Sequence, residues 1–474
     1  MTSLAIVGAG FSGAVTAIEY LRIAKTGDTV YLINRSGEMA QGLAYGTNSP
    51  DHLLNVPAGN MSAIADVPGS FVNYCKQIDL QVSEGSFVQR ALYGQYLVSI
   101  LKSAEINSKA DCIRIIDEVV EIRHDTTSSV LTFKERQELE VDHVVLAFGN
   151  FPPATPTPLA TLVNHPNYIA DPWKKGPTGC QTDALDILIL GCGLTAIDVV
   201  SKVKQDFPSS RFTMLSRRGI QPQTHRENLP PSRYSGDLLD NILRGPHTAL
   251  NYLRLVRREL SISTNDWRDI IASLRPVTPL LWQNLSHCER RRFLRHLQPY
   301  WDSYRHRVAP ASYRKFTEYQ DDGSVFTMKG RVVSTSTTDS KIQVDIRTRG
   351  KDEIAERKFD WIINCTGPST KLSGVDTLLV KGLIQSGTIK QDIHCLGLVT
   401  EGTAVVNAAG ETLDWLSYIG PMLKATLWEA TAVPELRNHA LDLASRIKKT
   451  TDRSRMRTNL SCNVSSKTTP LKRK

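Results

Sequence analysis

Apolar positions along the chain fall into short continuous runs separated by segments of helical spacing. Leu4-Ala5-Ile6-Val7 reads as a buried strand, and Ala14 through Leu21 has the spacing of a helix. The next strand is Thr29-Val30-Tyr31-Leu32-Ile33. Residues 112–116, 118–122, 130–133 and 141–147 form a set of short strands, and the last runs out at Phe148-Gly149-Asn150 ahead of Pro152 and Pro153. A buried strand followed by glycine and prolines marks a domain exit. Asp186 through Leu190 opens a second strand-then-helix unit, continued by the strand Phe212 to Leu215. From His225 to about Phe316 the period turns helical, at 250–260, 267–274 and 290–304, cut by Pro230, Pro231, Pro246, Pro276, Pro279 and Pro310. Strands return at 325–326, 331–333, 342–346 and 360–364. Strand alternating with helix predicts an α/β chain with parallel sheets.

The two strand-to-helix junctions carry the chemistry. Gly8-Ala9-Gly10-Phe11-Ser12-Gly13 has G-x-G-x-x-G spacing, and about 180 residues on Gly191-Cys192-Gly193-Leu194-Thr195-Ala196 repeats it with alanine last. The first glycine permits the tight turn, the second admits a pyrophosphate against bare backbone, and the third lets helix pack on strand. Uncapped amides and the positive end of each helix then face phosphate. One nicotinamide needs one such site; a flavin plus a nicotinamide needs two. We therefore expect two Rossmann-like three-layer dinucleotide-binding domains, for FAD and NADP, with a helical insertion at about 225–316. The expected layout is FAD domain at 1–150 and again at 365–445, NADP domain at 151–364, and a basic tail at 446–474.

Candidate cofactor contacts follow from that layout. In the first unit they are Gly8, Gly10, Phe11, Ser12, Gly13, then Asn34 and Arg35 at the end of the second strand. The irregular segment after it adds Tyr45, His52, Asn55 and Met61, where a flavin ring is expected to lie. Val119 and Gly149 at strand ends join them, with Gly367 and Gly420-Pro421 from the returning chain. A helix running from Pro421 through Glu429 is expected to aim its positive end at the flavin's polar edge. In the second unit the contacts are Gly191, Gly193, Leu194 and Thr195, then Ser216, Arg217 and Arg218. A hydroxyl and two guanidinium groups at that strand end favour NADPH over NADH, because arginine meets phosphate with a planar fork of donors.

Composition narrows the partners. The chain has 474 residues and a net charge of +9, but the segment from Arg446 onward alone carries +9, so the remainder is neutral. Nucleic-acid contact is thus expected only through the tail, which lacks apolar periodicity and is expected to be disordered. Eight cysteines occur without a C-x-x-C pair, which disfavours a disulfide framework, a structural zinc and a dithiol centre, and no metal site is expected. No apolar run is long enough to span a membrane. The plain reading is a cytoplasmic protein.

Several stretches then become specific. Gly42-Leu43-Ala44-Tyr45-Gly46-Thr47, His52 through Ala58, Met61-Ser62-Ala63 and Arg90 through Leu97 resemble the FAD/NAD(P)-binding family that includes the bacterial FAD-dependent urate hydroxylase and the aspartate N-monooxygenase. Ser216-Arg217-Arg218-Gly219, Cys365-Thr366-Gly367-Pro368 and Ile419-Gly420-Pro421 through Glu435 continue the likeness, which runs from about residue 4 to 445. The chain departs from the pattern at Asn34, where an acid is expected, and at Ala425, where glycine is expected.

The resemblance implies an NADPH-dependent FAD monooxygenase. It would hydroxylate a small polar nitrogen-containing substrate, urate-like or an amino acid, with oxygen as co-substrate and a C4a-hydroperoxyflavin as oxygen donor. Two other readings remain open: a flavin reductase passing electrons to a carrier, and a flavin-bound interaction or sensor protein. In the insertion, Arg305 and Arg307 are candidate contacts for an anionic or imide-like substrate; a solvated basic face or a protein-contact surface are the other readings of that arginine-rich stretch. No residue is assigned as general acid or base.

Overall fold

The computed structural model describes residues 1–474 except 175, 181, 228–233, 235, 339–340 and 466–474, and over 452–465 it describes the backbone alone. Two seven-stranded sheets are each built around one glycine turn. In the first sheet Ser3–Val7 lies between His143–Leu146 on one side and Thr29–Ile33, then Asp111–Ile115, on the other, all parallel. Thr412–Tyr418 extends it in parallel beyond His143–Leu146, and Ala404–Val406 and Thr400–Glu401 close that edge antiparallel. Strands covered on both faces read as unbroken apolar runs. Leu4, Ala5, Ile6, Val144, Val145 and Leu146 are accordingly buried completely.

Helices cover one face of this sheet. Phe11–Ile23, Arg90–Asn107 and Val433–Ser465 pack there around Tyr20, Tyr93 and Tyr96. The other face carries a small antiparallel sheet, Val119–His124, Ser129–Phe133 and Leu139–Val141, and the helix Leu378–Gln385.

The second sheet repeats the plan. Asp186–Leu190 lies between Trp361–Asn364 and Arg211–Ser216, and Val325–Thr337 follows, again all parallel. Ile342–Thr348 and Ile354–Phe359 then run antiparallel, with Tyr168–Ile169 at the far edge. The strands expected at 325–326 and 331–333 are one 13-residue strand. Its first half pairs with Arg211–Ser216; its second half leaves the core to form a ribbon with Ile342–Thr348. Solvent on one face of that ribbon supplies the polar positions that break the apolar run. In both sheets the chain reverses direction of addition beside the central strand, and the glycine turn sits at that strand's carboxyl end. Ligands of open α/β sheets bind at this switch point.

Helices from Leu238–Arg244 to Pro310–Asp321 occupy the excursion between Arg211–Ser216 and Val325–Thr337. Their core of Leu238, Ile242, Ile270, Leu274 and Trp282 includes Trp428, which belongs to the chain's return to the first sheet. Trp282 stacks on Trp428 at 4.6 Å and donates from Nε1 to the Ala425 carbonyl at 2.9 Å. The insertion is thereby clamped over residues 420–435. Pro230 and Pro231 lie outside the described residues.

Two expectations are corrected. The helix expected from Pro421 through Glu429 is a single 3₁₀ turn, Pro421–Ala425, followed by turns up to the last helix. Five residues sum too few peptide dipoles to act as a helix end. The tail does not lose structure at 446, because the last helix continues past it to Ser465. Ile447 is buried, Arg446 donates to the Thr403 and Ser417 hydroxyls at 3.0 and 2.7 Å, and Lys448 pairs with buried Asp28. Long basic side chains lay their stems on apolar surface, so composition alone conceals this packing. Residues 466–474 lie outside the described residues.

Candidate functional site

The first glycine turn is shaped by contact. Gly8 has φ +107°, and a side chain there would meet the Ala147 carbonyl at 2.7 Å; one at Gly13 would lie 1.9 Å from the Gly8 carbonyl oxygen. Both are demanded by the fold itself. Gly10 is different: its nearest neighbour is the Gly42 Cα at 3.7 Å. It caps the Phe11–Ile23 helix with no side-chain hydrogen bond and no acid in the first turn. The amides beside Phe11 and Ser12 are therefore left for an anion. The second turn behaves alike. Gly191, φ +117°, would push a side chain into the Cys365 carbonyl at 2.3 Å, while Gly193 has nothing within 4 Å and caps Leu194–Asp206 bare, next to Leu194 and Thr195.

Around the first turn the remaining candidates separate. Asn34 turns its amide nitrogen onto the Ser36 hydroxyl at 3.0 Å and the Glu38 carbonyl, closing its own turn. Arg35 is exposed and reaches Glu118 at 3.5 Å. Tyr45 packs edge-on against Tyr93 at 4.6 Å and Phe11 at 6.1 Å, and burial pushes its hydroxyl up to about 12. His52 bonds the Thr47 hydroxyl through Nδ1 at 2.6 Å, while its buried Nε2 has no partner. Burial holds its imidazole neutral, against the pull of Asp198. The Asn55 carbonyl accepts from His225 Nε2 at 3.0 Å, and Met61 is buried beneath the same loop.

Val119 lies in the small sheet's core. Gly149 and Gly367, the latter at φ +93°, stand open, with nothing within 4 Å of where a side chain would begin. Gly420, φ +143°, is held against Phe148 by Tyr418, whose hydroxyl donates to the Phe148 carbonyl at 3.0 Å and accepts from the Met422 amide at 3.1 Å. Pro421 follows as the first residue of the 3₁₀ turn.

The two candidate arginines of the insertion have different surroundings. Arg305 is buried 3.0 Å from Glu429 Oε2, though not in hydrogen-bond alignment, and 4.0 Å from Glu435. Glu429 also accepts from Trp301 Nε1 at 3.1 Å, and Glu435 pairs with Arg275. Arg307 is 8 % exposed, and among the described residues its Nε has no partner and it makes no ion pair. It lies over the Trp267 ring at 5.7 Å. The nearby acids are engaged elsewhere: Asp266 with Arg268, and Asp269 with Arg226. Burial pushes the Arg307 guanidinium down to about 10, helped by Arg305, Arg268 and Arg226 and opposed by Asp266. His225, on the far side toward Asn55, is pushed down to about 3 by burial and then by Arg307.

At the second strand end, the Ser216 hydroxyl accepts from the Gly219 amide at 2.9 Å, and Arg218 donates to the Arg295 carbonyl at 2.6 Å over the Tyr300 ring. Arg217 and Arg218 open into a cleft of about 470 Å³. Its other walls are basic too: Arg295 from the insertion, and Arg331, Arg347, Arg349 and Lys351 from the ribbon. The sequence pattern singled out only the first two. The strand pairing that brings the ribbon cations beside them leaves no local trace, and neither does the Arg305–Glu429 contact, whose partners are more than a hundred residues apart.

Residues 5–151 match the family model described as FAD-NAD(P)-binding. No curated protein matches the sequence. Among solved structures, L-lysine 6-monooxygenase from Pseudomonas syringae superposes with a TM-score of 0.63 at 14 % identity, over 94 % of this chain and 99 % of that one. The Kutzneria sp. 744 ornithine N-hydroxylase with reduced FAD, NADP+ and L-ornithine gives 0.59 at 13 %, over 95 % and 99 %. Thioredoxin reductase from Lactococcus lactis gives 0.52 at 10 %, over 95 % and 98 %. The chain thus carries an FAD-NAD(P)-binding domain at residues 5–151 and, along nearly its whole length, the α/β fold that these hydroxylases and this reductase share.

Proposed function

We propose that this protein is an NADPH-dependent FAD monooxygenase that hydroxylates nitrogen in a small polar substrate. The observation that carries this reading is the pair of bare-capped glycine turns, each at the switch point of its own sheet, with a helical insertion clamped over residues 420–435. The fold shared with lysine and ornithine hydroxylases supports it. FAD fits the first turn, where Gly10 is open and the helix amides are uncapped. NADPH fits the second, where Gly193 is open and the neighbouring cleft is basic.

When bound, FAD reduced by NADPH supplies the activation of oxygen; the chain supplies geometry. Gly10, Phe11 and Ser12 would hold the pyrophosphate on the first helix, and the backbone of 52–61, Gly149, Gly367 and Gly420 would line the ring site. The insertion excludes water by laying Trp282, Trp301 and Arg305 on Ala425 and Glu429. Arg307 is the anchor we assign to an anionic part of the substrate, since it is buried and makes no ion pair among the described residues. Arg305 is engaged by Glu429 and serves to position that wall.

A disulfide-reductase reading draws on the fold shared with thioredoxin reductase. Against it, the described cysteines are all free, and burial pushes the thiols of Cys192 and Cys365, beside the second turn, upward and away from thiolate. The test is oxygen uptake by the FAD-loaded protein with NADPH and a panel of amino acids, diamines and urate. Substrate-stimulated uptake with a product one oxygen heavier is expected. NADPH oxidation that any of these leaves unstimulated, with electrons passing instead to an added disulfide or quinone, would overturn the proposal.

A further inference from the structure

The cleft beside Ser216 holds more positive charge than the strand end itself provides. Three separate elements build it: the loop after Arg211–Ser216, the end of the helix His287–His296, and the ribbon of Val325–Thr337 with Ile342–Thr348. No acid lines it, and none of its cations is in an ion pair among the described residues. Within the ribbon, Arg331 and Arg347 stand directly opposite each other in the antiparallel register. Like charges at facing positions oppose strand pairing, so this arrangement works against the ribbon unless an anion lies between them. Gly330 forms the floor, since a side chain there would meet the Arg347 carbonyl at 2.7 Å. Arg218 is already oriented by the Arg295 carbonyl and the Tyr300 ring.

We infer that this cleft is a clamp for a phosphomonoester dianion on the ribose 2′ position of the nicotinamide dinucleotide, with Arg331 and Arg347 as specificity-determining residues alongside Arg217 and Arg218. The inference rests on the NADPH reading above and goes beyond it by placing the discrimination on the ribbon. A planar guanidinium on each side meets phosphate oxygens with paired, charge-assisted donors. The outer cations Arg349 and Lys351 focus the field of the cleft and raise the encounter rate with the dianion. A dinucleotide without the 2′-phosphate leaves Arg331 and Arg347 unneutralised, as in the free protein, and gains nothing from them.

Calorimetric titration of the FAD-loaded protein tests this, with NADP+, NAD+, 2′-AMP, 5′-AMP and inorganic pyrophosphate as probes. Arg331→Ala and Arg347→Ala are each expected to weaken NADP+ and 2′-AMP by about tenfold, as for loss of one charge-assisted contact. NAD+ and 5′-AMP should bind as before, and the thermal midpoint without dinucleotide should hold or rise as the facing charges are relieved. Retained NADP+ preference in both variants, with loss in Arg217→Ala/Arg218→Ala, overturns the ribbon assignment alone. Equal affinity of the parent protein for NADP+ and NAD+ overturns the NADPH reading itself. Pyrophosphate bound more tightly than NADP+ overturns the dinucleotide as occupant.

Discussion

Removing the Arg307 charge should make the substrate-free protein more stable, and the size of the gain follows from its surroundings. Burial, with Arg305, Arg268 and Arg226 adding repulsion, lowers this guanidinium from 12.5 to about 10. Each pKa unit corresponds to about 1.4 kcal/mol, so keeping the charge costs the folded state on the order of 3 kcal/mol. The sign is that of a base with a depressed folded-state pKa: the cost is fully present below about pH 10 and vanishes only above the unfolded value. Arg307→Met keeps the stem and removes the charge. It also loses the contact with the Trp267 ring, worth about 0.5–1 kcal/mol. The net gain is about 1–3 kcal/mol.

Glu429→Gln makes the opposite change, stranding buried Arg305, and breaking a buried pair from one side costs about 3–5 kcal/mol. Thermal unfolding at fixed FAD concentration reads both. Arg307→Met should melt a few degrees above the parent while its KM for an anionic substrate rises steeply; Glu429→Gln should melt below it. An Arg307→Met midpoint lower than the parent's would refute the reasoning, because the guanidinium would then have a partner that stabilises it.

The glycines of the second turn should divide by role. Gly191→Ala, strained at positive φ and driven into the Cys365 carbonyl, should lower the melting midpoint. Gly193→Ala should melt normally but lose NADPH affinity in titration, since its methyl group occupies open space. Truncation tests the last helix: ending the chain before Arg446 removes buried Ile447 and the Lys448–Asp28 pair and should lower the midpoint. On the acid side, burial pushes His143 and His225 down to about 3. Between that value and the unfolded 6.5 the unfolded chain binds more protons, so stability falls as pH falls. The slope is about 1.4 kcal/mol per pH unit for each histidine. Denaturant midpoints measured from pH 7 to 4.5 should show this, and His225→Asn should flatten the curve.

The sequence by itself determined whatever depends on neighbours along the chain. Fully apolar runs named the central parallel strands, because a strand buried on both faces has no polar positions to confuse it. The glycine spacings located both turns, because φ and close backbone approach are local demands that only glycine meets at Gly8, Gly13 and Gly191. Helical period found the insertion. Val325–Thr337 read as two strands because half of it lies in the core and half in an exposed ribbon. The turn after Pro421 read as a helix because period alone does not register where hydrogen bonding stops.

Only the tertiary structure decided which charges are engaged. Arg305 and Arg307 look equivalent two positions apart, yet among the described residues Glu429 reaches one and no acid pairs with the other. Arg331 and Arg347 join Arg217 and Arg218 only because parallel pairing lays the long strand beside Arg211–Ser216. Electrostatic environment is set by distance through space, and residues far apart in sequence supply it. That is why the loops were legible in advance and the ion pairs around them were not.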